Sequence, residues 1–156
     1  MNKDELLKIY SAYMRYGLEL QHKYEKAKHS GEAVLRSWVK PLEPLDLGCL
    51  FPHRKDSFDW KPILWDLSYL TKPIEGGVYV INEIADVISK DQSFSIIQSD
   101  DAIILDFDEE YVFHIISMKN MMRQPYEIIQ ILLKYHFNVF DIPEDQFINK
   151  ATLTNK

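Results

Sequence analysis

The sequence is short of four things, and each shortage excludes something. Cys49 is the only cysteine in 156 residues, so no disulfide can form within the chain and no cysteine-based zinc cluster can be built. Only five glycines occur, and Gly76-Gly77 lacks the Lys-Ser/Thr and the spacing of a loop that cradles phosphate. No apolar run approaches the roughly 20 residues of a membrane helix. The start, MNKDELLKIYSAYM, has neither an apolar signal core nor a small-residue cleavage site. Basic residues are also scarce, 18 against 24 acidic ones for a net charge of −6. That balance argues against non-specific nucleic-acid binding, which needs a basic stripe to displace counterions. The expectation is a cytoplasmic, unprocessed protein with no membrane association.

Apolar residues, by contrast, make up 46% of the chain and aromatics 13%, enough for a sizeable core. A length of 156 residues fits one domain. Leu6, Leu7, Tyr10, Tyr13 and Met14 recur at helical spacing, which predicts a helix over about residues 3 to 14. Gly17 permits a change of direction. Beyond it Leu18, Leu20, His22 and Tyr24 alternate with polar residues as in a half-buried strand. Polar EKAKHSGEA connects to a second extended segment, AVLRSWV, and KPLEPLDLGCLF continues as an edge or irregular extended run.

WKPILWDLSYLTKPI, from Trp60 to Ile74, reads as a short helix or 3₁₀ turn between Pro62 and Thr71, stopped by Pro73. Ile81, Ile84, Ala85 and Ile88 predict an amphipathic helix over about residues 81 to 90. FSIIQS, AIILDF and YVFHIISM come next as a three-strand meander. Pro125 opens a last helix whose apolar face carries Ile128, Ile129, Leu132, Leu133 and His136, with Asn138 as its left-handed stop. A polar tail is expected from about residue 149. The order of elements predicts an α+β fold: an antiparallel sheet packed against an N-terminal, a central and a C-terminal helix.

Chemistry-bearing constellations are few. The five histidines show no HxxxH or HExxH spacing and read as structural or surface residues. Cys49 and His53 are four apart across Pro52 with no oxyanion motif, so a buried thiol is the simpler reading. The acidic pairs near Asp100-Asp101 and Asp108 lack the ligand order of a calcium loop and read as solvated hairpin tips. No catalytic residue, metal or cofactor is assigned. The best candidate binding site is the loop PHRKDSFDW together with Trp65 beyond it. His53, Arg54 and Lys55 supply donors, and Trp60 and Trp65 supply aromatic faces. Cations interleaved with aromatics grip phosphates, stack bases or anchor protein interfaces.

Three segments resemble a group of small hypothetical proteins from phages and prophages of Bacteroidota-type bacteria. SAYMRYGLEL is similar to that group's S-x-Y-L-P-Y-G-L, with Ser11, Tyr13, Tyr16, Gly17 and Leu18 matching and Arg15 in place of the usual proline. KPILWDLSYLTKPI resembles K-P-I-L-R-P-L-S-D-L-T-K-x-I, with Trp65-Asp66 where Arg-Pro is typical. YHFNVFDI resembles H-F-D-V-F-G-L-I and keeps His136, Phe137, Val139 and Phe140. The resemblance implies a mobile-element setting, and with it a host cytosol, and it assigns no catalytic role. It makes a non-enzymatic accessory protein that binds a host protein, and so blunts a defence system, the leading expectation. A binder of a small nucleotide is the alternative.

Overall fold

The computed structural model describes residues 3–27, 33–43, 60–108 and 112–154. Helix α1 (Lys3–Met14) begins with Asp4 and Glu5, whose charges suit the positive end of the helix dipole. It buries Ile9, Tyr10 and Tyr13. Gly17, at φ 69°, turns the chain into strand β1 (Glu19–Ala27), which pairs antiparallel with β2 (Ala33–Pro41). On its other side β1 pairs antiparallel with β3 (Trp60–Leu64), and β3 pairs in parallel with the two-residue β7 (Ile148–Asn149). The order in this first sheet is β2-β1-β3-β7.

Helix α2 (Val80–Ile88) comes next, then an antiparallel sheet of β4 (Phe94–Gln98), β5 (Ala102–Phe107) and β6 (Val112–Ser117) in sequence order. Helix α3 (Tyr126–Lys134) packs against α2, where Lys134 Nζ meets Glu83 Oε1 at 3.0 Å, and also against α1. A last turn of helix, α4 (Ala151–Thr154), closes the described chain. The fold is α+β as expected, with its strands divided between two sheets. Leu18, Leu20 and Leu64 from the first sheet and Ile103, Leu105 and Phe107 from the second belong to one continuous core with the helices. Among the described residues no helix is long and apolar enough to cross a membrane.

Three local expectations need correction. WKPIL is a strand, and only Leu67–Tyr69 forms a 3₁₀ turn, capped by Asp66 Oδ1, which accepts from the Ser68 amide at 2.9 Å. The proline explains it: Pro62 pushes Lys61 toward extended geometry. Its own missing N–H is tolerated because β7 pairs only with Ile63 and Leu64. Second, the left-handed residue that ends α3 is His136 (φ 61°), not Asn138. The His136 amide bonds to Leu133 O at 3.0 Å and the Phe137 amide to Leu132 O at 2.9 Å, the paired bonds of a Schellman cap. Third, the polar tail expected from about residue 149 is folded back. Lys150 N donates to Leu64 O at 2.8 Å, and Ala151 is buried.

The stretch after that cap holds the fold together. Trp65 N donates to His136 O at 2.8 Å, and Asn138 N donates to Trp65 O at 2.9 Å. The buried Asn138 side chain then makes two 2.9 Å bonds with the Ile142 backbone, Nδ2 to O and N to Oδ1. Tyr13, fully buried, donates its hydroxyl to Phe137 O and accepts from Val139 N at 3.3 Å. Burial pushes its phenol well above the usual tyrosine range, so it stays a neutral donor. Removing the hydroxyl takes one bond each from the buried Phe137 carbonyl and the Val139 amide, which keep only their mutual bond at 2.9 Å, and each lost bond costs about 0.5–1.5 kcal/mol. Tyr13→Phe is therefore expected to lose about 2 kcal/mol, and about 4–8 °C in melting temperature. Thermal unfolding checks this, and an unchanged melting temperature contradicts it.

His136 supplies a pH signature. Its Nε2–H donates to Tyr16 O at 2.7 Å, but burial outweighs that bond and lowers its pKa below the ordinary value. The folded protein thus takes up a second ring proton less readily than the unfolded chain. The neutral form's advantage is fully present above the unfolded pKa of about 6.5 and is lost as pH falls through the lowered folded value. Stability measured between pH 7.5 and 5.5 should fall less steeply in His136→Gln than in the native chain. Equal slopes contradict the assignment.

Candidate functional site

Strand registry builds a row of rings across the first sheet. His22 on β1 lies opposite Trp38 on β2 and opposite Trp60 on β3, so the three side chains stand side by side on one face. The ring centroids of His22 and Trp60 are 5.5 Å apart, and those of Trp38 and Trp60 are 6.0 Å apart. In the next row Lys40 faces Leu20, and its Nζ sits 4.9 Å over the Trp60 ring. This is the face that also carries Leu18 and Leu20 into the core, because side chains alternate along β1. The row extends that face toward solvent. Exposure rises from His22 at 7%, through the half-buried Trp60, to Trp38 at 62%.

An indole more than half in water, braced by a second indole that itself carries an ammonium group over its ring, is costly surface. Such a patch offers flat apolar faces and one positive charge. It can take an aromatic or planar group by stacking and a neighbouring anion through Lys40. Among the described residues no group of three or more His, Cys, Asp or Glu side chains converges on a point.

Of the five residues the sequence nominated, Trp60 takes a central place in this row. His53, Arg54 and Lys55 lie outside the described residues. Trp65 is not beside Trp60: five residues along an extended chain separate them by roughly 17 Å. At 3% exposure Trp65 packs on Tyr69, with ring centroids 5.4 Å apart, and Lys150 Nζ stands 5.9 Å from its ring. Lys150 itself pairs with Glu75 at 2.9 Å. A narrow cleft of about 240 Å³ runs past Trp65, Tyr69 and Ala151. A second, of about 330 Å³, lies between Ile9 and Phe140, so neither contains the ring row.

Sequence reading missed Trp38, Lys40 and His22. The signal was present in AVLRSWVK, where Trp38 and Lys40 share a strand face, but only the register between strands sets them against Trp60. No protein family, curated protein or solved structure matches this chain.

The exposure order is directly measurable. In single-tryptophan variants, acrylamide should quench Trp38 most, Trp60 less and Trp65 least. A Trp38 shielded as well as Trp65 contradicts the open patch.

Proposed function

We propose that this protein is a non-enzymatic binding protein that captures another macromolecule through the Trp38–His22–Trp60 row and Lys40. The observation that carries the reading is Trp38, 62% exposed yet held in a fixed ring cluster. Tryptophan is among the residue types that dominate binding energy at interfaces, above all where neighbouring side chains hold it rigid. The phage-like segments support a mobile-element setting, in which the partner is a host protein and capture blunts a host defence. The compartment in this reading is the host cytosol.

Lys40 over Trp60 favours one second reading, sequestration of a nucleotide-type ligand, with the base stacked on an indole and the phosphate at the ammonium group.

Pull-down from host lysate and thermal shift with adenine and cyclic nucleotides separate the two. Macromolecular capture predicts that Trp38→Ala, Trp60→Ala or Lys40→Glu each cuts recovery of the same partner by about tenfold or more. Arg54→Glu asks whether the preceding loop contributes. The folded fraction should stay unchanged in Trp38→Ala. Full recovery by all three patch variants overturns the site. A nucleotide at about 100 times its Kd that stabilises by about 2.7 kcal/mol favours the second reading instead.

A further inference from the structure

The second sheet is apolar on both faces. Its inner face gives Ile103, Leu105, Phe107 and Ile116 to the core. Its outer face carries a row formed by Ile97, Ile104 and Ile115, paired directly across the three strands. Ile97 is 53% and Ile115 59% exposed, and Ile104 between them is half-buried. In the next row Phe113, also 59% exposed, lies opposite Asp106. Together these side chains form one exposed apolar patch across all three strands, and contiguous patches of this kind are often functional. A strand that reads AIILDF, apolar at nearly every position, has the pattern of a sheet covered on both sides.

We propose that this outer face is a docking surface for a basic amphipathic α-helix of a partner protein. The proposal is independent of the Trp38 patch. Its first support is size. The outer strands of a three-stranded sheet stand about 10 Å apart, and a helix with its side chains is about 10–12 Å across. One helix therefore covers the face as a third layer.

The second support is charge. Asp106 lies on the face itself, and Asp100, Asp101 and Asp108 stand at its ends. From Asp91 to Lys119 the only lysine or arginine is Lys119, which is paired with Asp101 at 2.7 Å. An apolar stripe flanked by lysines or arginines meets both features, whereas an acidic helix meets repulsion. A second copy of the same face would set Asp106 and its acidic surroundings against their own kind. Addition of a strand at β6 is opposed as well. Gln124 Nε2 donates to Ile115 O at 3.3 Å, and Gln124 Oε1 accepts from His114 Nε2 at 3.1 Å, so a side chain occupies that edge.

The test uses the full chain and two labelled peptides of about 18 residues, roughly five helical turns. One carries leucines on one face flanked by lysines; the other has glutamates in place of the lysines. Fluorescence anisotropy should show the lysine peptide binding at least about tenfold tighter than the glutamate peptide. Ile115→Thr with Ile97→Thr should weaken it by about tenfold, Asp106→Asn should weaken it less, and Trp38→Ala should leave it unchanged. Threonine keeps the β-branch, and both isoleucines are more than half exposed, so the melting temperature should hold. Equal binding of the two peptides, no binding of either, or indifference to the outer-face variants overturns the proposal. So does a native dimer that these variants turn into a monomer.

Discussion

Segments far apart in sequence are joined at one seven-residue stretch, His136 to Ile142. A left-handed residue ends α3, and the chain beyond it must satisfy its buried backbone groups without a helix or a long strand. It does so by borrowing. Tyr13 supplies a hydroxyl from 124 residues away, Trp65 supplies both backbone groups, and Asn138 closes on Ile142. His136 returns a bond to Tyr16, 120 residues away. Tyr13 and Tyr16, Trp65, and His136 with Phe137 lie in three separate segments of the sequence. They meet here, and their hydrogen bonds build the framework of the fold.

That framework sets where the surface features lie. Trp65 is tied to the stretch on both sides, and this fixes the end of β3. β3 in turn registers Trp60 against His22 and Trp38. The ring row is thus the far end of a strand whose near end is anchored in the core. At that end the fold places Lys40 against an indole. The three-stranded sheet carries the opposite character, isoleucines among carboxylates.

Legibility in the sequence tracked the range of the interactions. Helix α1, helix α2 and the meander were readable because apolar spacing within ten or so residues decides them. Trp60–Leu64 was misread because its strand exists only through partners on β1 and β7, and a proline in an apolar run suggests a turn just as well. The backward fold after Asn149 was invisible for the same reason: Ile148 and Ala151 are covered by neighbours that sequence proximity does not supply. At the site, Trp60 was identified by its type and its surroundings. Its fellows Trp38 and Lys40 needed register, which no single strand encodes.

If the stretch from His136 to Ile142 joins the fold in this way, it opens only when the whole protein does. Native-state hydrogen exchange reads this at the amides of Trp65, Asn138 and Ile142, set against core-strand amides such as those of Leu20 and Leu105. All five should exchange through the same opening, with the same free energy and the same denaturant dependence. Exchange at Trp65, Asn138 and Ile142 that is orders of magnitude faster than at Leu20 and Leu105 would contradict it.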